Sequence, residues 1–167
     1  MNKIVIDGVT IELTEEQTEK LRAELGVKKR SPFDRVEHGE YFYSIDISGR
    51  ITSHTDERDT YDNAWYNSAN YCTDKDLLTE RARVEVLSRL LWRFSMENGG
   101  DKIDWEDSAQ PKYYVHDKDA EWRIDCAYLS RKLQPHFITR EIAQRAIDEI
   151  VIPFEKGKLP CCKIWEV

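Results

Sequence analysis

Two aromatic stretches each open a predicted hairpin, Tyr41-Phe42-Tyr43-Ser44-Ile45-Asp46 and Tyr113-Tyr114-Val115-His116-Asp117. Each hairpin is followed by an aromatic-x-Thr sequence at a predicted helix start, which is Tyr71-Cys72-Thr73 in the first case and Phe137-Ile138-Thr139 in the second. Aromatic residues are common in strands and threonine is a favoured helix cap, so this likeness does not by itself establish a duplication. It does predict an architecture of two ββα-like units.

The first unit is predicted over residues 33–98. Its hairpin turns at Ser48-Gly49 and returns antiparallel through residues 50–54. Residues 55–70 are expected to form a long loop, and loops of that length in compact domains tend to be functional. Thr73 or Asp74 then caps the longest helix, which Asn98-Gly99-Gly100 ends. The apolar residues that recur at helical spacing and should pack in the core are Leu77, Val84, Leu87, Leu91 and Phe94.

The second unit is predicted over residues 111–167. Its hairpin turns within residues 117–120 and returns through an apolar alternation that suits one buried face, made by Trp122, Ile124, Cys126 and Tyr128. Thr139 caps a second helix, which Pro153 should end. The continuous apolar stripe of this helix is Ile142, Ala143, Ala146, Ile147 and Ile150. The tail is expected to finish as a strand over residues 162–165.

The first 27 residues are predicted to form a small hairpin and a short helix. Asp7-Gly8 favours the positive φ angles of a tight hairpin turn. Thr14 and Gln17 have the spacing of a capping box, and Gly26 suits the helix end. The whole chain therefore predicts one compact α+β domain, in which the strands join an antiparallel sheet packed on helices near residues 74–97 and 140–151.

The composition is typical of a soluble globular protein, with 40% hydrophobic and 34% charged residues in a chain of 167. No stretch approaches the roughly 20 consecutive apolar residues of a membrane span, so we expect no membrane association. The four cysteines lack CxxC spacing, which favours free thiols in the cytoplasm over a disulfide framework or a zinc ribbon. The net charge of −7, from 32 acidic and 25 basic residues, works against general nucleic-acid binding.

Sequence motifs for catalysis and for cofactor binding are absent. The chain has no GxSxG, GxxxxGK[ST] or GxGxxG pattern, and its four histidines lack the i,i+4 spacing of a helical metal site. Residues 56–62 lack the glycine and the closing glutamate of the known calcium loop. Cys72 precedes a helix start, where a thiol pKa can fall, but its aromatic surroundings favour burial. We therefore expect no cofactor, no metal and no enzymatic activity.

One acidic and aromatic segment is the first candidate for a partner-binding surface. Carboxylates complement basic surfaces, and aromatic side chains on exposed segments are enriched in binding hot spots. The candidate residues are Asp56, Glu57, Asp59, Tyr61, Asp62, Trp65 and Tyr66. The acidic connector from Asp101 to Asp107 is a second candidate.

A set of basic residues supports an alternative function, nucleic-acid binding with help from exposed aromatic side chains. Its members are Lys28, Lys29, Arg30, Arg81, Arg83, Arg89 and Arg93. Glu85 stands four residues before Arg89, so part of this set is expected to be self-paired. A small enzyme or a nucleotide-sequestering protein is a third class that the sequence leaves open, because catalytic residues need not be close in sequence. Self-association through an exposed hairpin edge also stays open.

Three segments resemble small uncharacterised accessory proteins carried by phages and prophages of Gram-positive bacteria. They are Leu13-Thr14-Glu15-Glu16-Gln17, Phe33-Asp34-Arg35-Val36-Glu37-His38-Gly39-Glu40-Tyr41-Phe42-Tyr43 and Asn70-Tyr71-Cys72-Thr73-Asp74. The resemblance implies a phage-encoded protein of the host cytoplasm, and proteins of that kind include anti-CRISPR and other anti-defence inhibitors. It therefore implies an inhibitor that binds a bacterial defence protein, such as a CRISPR nuclease complex, and blocks its engagement of nucleic acid. It assigns no site residues.

Overall fold

The computed structural model describes residues 2–6, 9–25, 30–129 and 134–165. Over these ranges it confirms an α+β fold, with helices and antiparallel strands. The elements in chain order are β1 (Asn2–Ile6), β2 (Val9–Leu13), α1 (Glu15–Glu24), β3 (Tyr41–Ile45), β4 (Ile51–Thr55), α2 (Thr60–Asn67), α3 (Lys75–Glu97), β5 (Lys112–Lys118), β6 (Glu121–Ala127), α4 (Arg140–Ala146) and α5 (Ile152–Glu155). No helix within the described ranges has the length and apolar content needed to cross a membrane.

The N-terminal hairpin and helix form as predicted. β1 pairs with β2 in antiparallel register, with Ile4 opposite Ile11. Thr14 caps α1 by accepting a hydrogen bond from the Gln17 N–H at 3.2 Å, and the Gln17 side chain accepts one from the Thr14 N–H at 2.9 Å. The capping box is therefore confirmed. The predicted turn at Asp7-Gly8 and the helix end at Gly26 lie outside the described residues.

The hairpins form separate two-stranded sheets, which corrects the expectation of one joined sheet. In the hairpins β3–β4 and β5–β6, the first strand also pairs with one residue of a later segment, which lies just before α3 or α4. Cys72 makes two backbone hydrogen bonds with Tyr43 of β3, at 2.8 and 3.0 Å. Phe137 makes the corresponding two with Tyr113 of β5, at 3.0 and 2.7 Å. Each bridge therefore occupies one edge of its hairpin, on β3 or on β5.

The same structural positions supply the core of both units. They are one residue on the first strand, its partner on the second strand, the bridging residue, and the residues four and eight places after the helix N-cap. In the first unit these are Ile45, Ile51, Cys72, Leu78 and Ala82. In the second unit they are Val115, Ile124, Phe137, Ala143 and Ile147. In the structure Phe137 thus corresponds to Cys72, whereas the aromatic-x-Thr likeness aligned Phe137 with Tyr71.

Residues 60–67 form α2, so the long loop expected over residues 55–70 is wrong. Asp59 is the N-cap and accepts a hydrogen bond from the Asp62 N–H at 2.8 Å, while Asp62 accepts one from the Asp59 N–H at 3.3 Å. Capping boxes usually combine Ser or Thr with Glu or Gln, and here two aspartates take both roles. The helix is also short and largely polar, so it lacks the repeating apolar residues by which a helix is recognised in a sequence.

The helix α3 belongs to both units, because its first half packs on β3 and β4 and its second half on α4. The buried residues of the first half are Leu78, Ala82 and Val86, and those of the second half include Leu91 and Phe94. Leu77 and Val84, which were expected in the core, are exposed. Leucine occupies both positions 77 and 78, so the apolar pattern alone does not determine which face meets the hairpin.

The second hairpin is tighter than predicted. β5 and β6 are joined by Asp119 and Ala120, which both have positive φ angles, 58° and 61°, as a two-residue type I′ turn requires. Trp122 and Ile124 pack against the core of the second unit. Cys126 is exposed, so the predicted burial holds only for the first half of the returning strand.

The end of the chain differs from its prediction in two places. Pro153 does not end the helix that Thr139 caps. This helix, α4, passes through a π turn (Ile147–Val151) into α5, and Pro153 lies in the first turn of α5. Pro153 has no backbone N–H to donate to the continuing helix, and it stands just after the π turn, whose backbone already departs from α-helical pairing. The expected C-terminal strand is instead a 3-10 helix, Pro160–Trp165. Its Cys162 packs against Phe154.

Replacing Leu78 tests the assignment of the buried face of α3. Leu78→Ala should lower the free energy of unfolding by about 3 kcal/mol, because it leaves a cavity in the core of the first unit. Leu77→Ala is the matched control, and we expect a loss below about 1 kcal/mol since Leu77 is exposed. Urea unfolding followed by circular dichroism measures both. Equal losses would contradict the assigned face.

Candidate binding site at the start of the second helix

Asp56 lies between β4 and α2, and none of its surface is exposed. Arg35 donates two hydrogen bonds to the carboxylate, from Nε to Oδ2 at 2.8 Å and from Nη2 to Oδ1 at 3.0 Å. The Tyr71 hydroxyl donates to Oδ2 at 2.9 Å, and the Arg58 backbone N–H donates to Oδ1 at 2.9 Å. A buried charge needs this combination of a countercharge and several donors.

The partners of Asp56 come from three separate segments, and they also contact one another. Arg35 Nη1 donates to Asn63 Oδ1 of α2 at 2.6 Å. Arg58 Nη2 donates to the Val36 carbonyl at 2.6 Å, and the Val36 N–H donates to the Tyr71 hydroxyl at 3.1 Å. We call this set the Asp56 network. It joins the segment before β3, the start of α2 and the segment around Cys72, which bridges to β3.

Arg58 turns the chain from the end of β4 towards α2. Its φ angle is 60°, in the left-handed region that costs a non-glycine residue about 1 kcal/mol. The same conformation directs the Arg58 N–H at the Asp56 carboxylate, and that charge-assisted hydrogen bond offsets the strain.

The network shifts the ionisation of two side chains. Hydrogen bonds from Arg35, the Arg58 N–H and Tyr71 hold the pKa of Asp56 well below its usual range, although burial opposes this. Burial raises the pKa of Tyr71 to about 12, and the neighbouring Asp56 carboxylate adds to the increase. At neutral pH the network therefore contains an ionised Asp56 and a protonated Tyr71.

Aromatic rings pack around the network. Phe42 stacks on Tyr71 with ring centroids 4.0 Å apart, and His54 lies 4.1 Å from the Trp65 ring. Trp65 is half-buried by these contacts and belongs mainly to the core. Arg35 lies over the Tyr66 ring at 5.4 Å. This packing fixes one face of α2 against the first hairpin.

Apart from the half-buried Trp65, the predicted partner-binding residues divide into two groups. Asp56 and Asp62 are buried and support the fold, so they cannot contact a partner. The exposed members are Glu57, Asp59, Tyr61 and Tyr66. Sequence reasoning did not identify Arg35 or Tyr71 as partners of Asp56, because they lie 21 and 15 residues away in the chain. No local pattern links residues at such separations.

Most of the predicted basic set is already paired. Arg81 contacts Glu85 at 2.7 Å and Arg93 contacts Glu97 at 3.9 Å, so the expected partial self-pairing of this helix occurs, although through different pairs. Arg89 donates to the Ile47 carbonyl at 3.0 Å. Arg30 pairs with Glu37 and Glu40, and Arg83 lies over the Phe154 ring. Lys28 and Lys29 lie outside the described residues.

One internal cluster resembles a nucleophile and base. Ser44 Oγ lies 2.9 Å from His54 Nε2, and Thr52 Oγ1 lies 2.8 Å from the same nitrogen. Ser44 is only 2% exposed, so a substrate cannot reach its hydroxyl. Burial also lowers the pKa of His54. We therefore assign the cluster to the fold, as a polar contact between β3 and β4.

A cleft of about 490 Å³ lies at the C-terminal end of α2. Its walls include Phe33, Tyr66, Tyr71 and Arg81. Arg81 donates to the Ala69 carbonyl at its edge. Within the described ranges no three metal-ligating side chains lie close enough together to hold an ion. The cleft is an aromatic surface feature with one cationic side chain, that of Arg81, in its lining.

Asp56→Asn tests the role of the buried carboxylate. We expect a loss of about 3 kcal/mol at pH 7, because Arg35 would lose its countercharge. The folded pKa of Asp56 is depressed, so its contribution to stability is complete above its unfolded pKa of about 3.9 and is lost as the pH falls through the folded pKa. The variant should therefore lose less stability than the wild type between pH 5 and pH 2.

The neighbouring Glu57→Gln is the matched control for Asp56→Asn, since Glu57 is exposed. It should change stability at pH 7 by no more than about 0.5 kcal/mol. Urea unfolding at several pH values measures all three proteins. A loss for Asp56→Asn no larger than that of the control would contradict the structural role of Asp56.

Tyr71→Phe tests the hydroxyl of the network. Tyr71 should form tyrosinate only near pH 12, and this step in absorbance at 295 nm should disappear in the variant. The folded pKa of Tyr71 is raised, so the stability that it contributes is complete below its unfolded pKa of about 10 and is lost as the pH rises towards 12. Identical titrations of the two proteins would contradict the assignment.

No family model, curated protein or solved structure matches this chain.

Proposed function

We propose that this protein is a non-enzymatic inhibitor, encoded by a phage or prophage, that binds a bacterial defence protein in the host cytoplasm. The partner that we propose is a CRISPR nuclease complex. An acidic and aromatic face of the inhibitor occupies a basic channel of the nuclease and excludes nucleic acid by electrostatic and steric competition. The choice of partner rests on the resemblance of three sequence segments to phage accessory proteins.

The observation that carries the proposal is the position of Tyr61. Its side chain lies on the first turn of α2 and is 72% exposed. Aromatic rings usually stabilise a fold by being buried, and this ring contributes little in that way. Exposed tyrosines of this kind are enriched in binding hot spots. The start of α2 is held by the Asp56 network, so little conformational entropy is lost when a partner binds there.

Two exposed carboxylates accompany Tyr61. Glu57 lies 3.3 Å from the exposed His38 ring, and Asp59 caps α2 beside Tyr61. Together with the net charge of −7, they favour approach to a basic surface. Salt screens such attraction beyond about 8 Å at physiological ionic strength. We therefore expect association to slow as salt is added.

The double variant Glu57→Lys/Tyr61→Ala tests the proposal. A CRISPR nuclease is first captured from a Gram-positive host lysate on the immobilised wild-type protein, then purified and loaded with guide RNA. The variant should raise the concentration for half-inhibition of DNA cleavage at least tenfold, because it reverses one charge and removes the exposed ring. Both side chains are exposed, so the fold should be retained.

The matched control is Glu80→Lys/Tyr128→Ala, which makes the same chemical changes at exposed positions elsewhere. It should inhibit the nuclease as the wild type does. Equal inhibition by the two double variants would refute the proposed contact site. A wild-type protein that inhibits no captured nuclease would refute the proposed function.

A further inference from the structure

The cleft at the C-terminal end of α2, which we call the α2 cleft, has the size and the lining of a small-molecule site. Its volume of about 490 Å³ lies within the roughly 300–1,000 Å³ of most ligand pockets, whereas the cavity between Trp92 and His136 measures about 200 Å³. Among the described residues that line the α2 cleft, one is cationic and none is a carboxylate. They are Phe33, Tyr66, Asn67, Ala69, Tyr71 and Arg81.

Backbone contacts hold the walls of the α2 cleft in place. Phe33 follows Pro32, whose carbonyl accepts a hydrogen bond from the Thr73 N–H at 2.9 Å. At the end of α2, the Ala69 N–H donates to the Tyr66 carbonyl at 3.1 Å. The wall before β3 and the wall at the end of α2 are therefore both tied to neighbouring elements. Such pre-organisation lowers the conformational entropy that a ligand must remove on binding.

Two exposed rings give the cleft a stacking surface. Phe33 is 49% exposed and Tyr66 is 38% exposed, although phenylalanine is more often fully buried. Arg35 lies over the Tyr66 ring, 5.4 Å from its centroid, and Tyr71 meets that ring at an interplanar angle of 89°. Phe33 makes no such ring contact within the described ranges. A planar base can therefore stack on Phe33, and stacking of this kind contributes substantially to the binding of nucleotide bases.

Arg81 supplies a directed cation at the edge of the cleft. Its Nε pairs with Glu85 at 2.7 Å, and its Nη1 donates to the Ala69 carbonyl. Its Nη2 makes no hydrogen bond with any residue in the described part of the chain. Glu85 does not line the cleft, so the cleft meets the cationic member of the pair. A guanidinium held in this way suits a phosphate, whose oxygens accept hydrogen bonds from its planar N–H groups.

Asn67 supplies an amide at the same cleft. Its side chain is exposed and makes no hydrogen bond with another described residue. A carboxamide offers one acceptor and one donor side by side, which matches the N6 amino group and the N7 acceptor of adenine. Guanine instead presents two acceptors on that edge, N7 and O6, and an amide satisfies both less well. The amide therefore favours adenine over guanine.

We propose that the α2 cleft binds an adenine mononucleotide. The base stacks on Phe33 and pairs with the Asn67 amide, and the phosphate accepts hydrogen bonds from Arg81. The net charge of −7 opposes the binding of a long polyanion, whereas a ligand with a single phosphate is repelled much less. This binding activity goes beyond the proposed inhibition of a nuclease and does not depend on it.

Calorimetric titration with adenosine 5′-monophosphate, adenosine and guanosine 5′-monophosphate tests the cleft. At low salt the wild-type protein should bind adenosine monophosphate at least about fivefold more tightly than adenosine, because only the former carries the phosphate for Arg81. This difference should shrink as salt screens the charges. The adenine nucleotide should also bind at least about threefold more tightly than the guanine nucleotide, because of the Asn67 amide.

Three variants separate the contributions of the walls. Phe33→Ala should weaken the binding of adenosine and of its monophosphate alike, by at least about fivefold, because it removes the stacking surface. Arg81→Gln should abolish the difference between these two ligands, and Asn67→Ala should abolish the preference for adenine over guanine. Phe33 and Asn67 are exposed, so these two variants test the cleft even if Arg81→Gln impairs folding.

Two control variants retain the cleft. Tyr128→Ala removes a comparably exposed ring in the second unit, and Arg93→Gln removes another arginine of α3 that pairs with a carboxylate four residues later. Both should bind adenosine monophosphate as the wild type does. No binding of that nucleotide, equal affinity for adenosine, or unchanged binding by Phe33→Ala would each overturn the inference. Tighter binding of a single-stranded tetra-adenylate would assign the cleft to nucleic acid instead and would also overturn it.

The nucleotide and nuclease assays separate the two proposals. Binding of adenosine monophosphate that depends on Phe33, in a protein that inhibits no nuclease, would support the cleft and refute the proposed function. Nuclease inhibition that depends on Tyr61, in a protein that does not bind the nucleotide, would refute the cleft alone.

Discussion

The buried Asp56 carboxylate is the interaction on which the first half of the structure depends. A carboxylate without exposed surface is stable only when it is paired and hydrogen-bonded, so its donors must be present together. Arg35, Arg58 and Tyr71 meet this requirement from three different parts of the chain. Together with the packing of Trp65 on the first hairpin, this constraint sets the position of α2 and with it the exposure of Tyr61.

The fold class and most of the regular elements could be predicted from the sequence, because turns, caps and apolar periods are local signals. The helix α2 could not, because its two capping residues are aspartates and it buries little apolar surface. The buried face of α3 was also misassigned, since Leu77 and Leu78 fit different faces equally well. Which of them is buried depends on the hairpin that packs there, and that is a tertiary property.

The candidate site shows the same division more sharply. Asp56, Glu57, Asp59 and Asp62 are close in sequence and chemically alike, yet two are buried and two are exposed. Their separation depends on a distant arginine and on the helix geometry of α2, neither of which composition reveals. The cavity between Trp92 and His136 was missed for a related reason, because its walls come from α3, residues 100–105 and the segment before Phe137.

The shared helix α3 has a consequence for how the two units can change over evolutionary time. Leu91 and Phe94 complete the core of the second unit, although they belong to the helix that follows the first hairpin. A shortened gene that encoded only residues 111–167 would lack these side chains and expose the apolar residues that pack on them. Despite their matching positions, the second unit therefore cannot be shuffled as a module without α3.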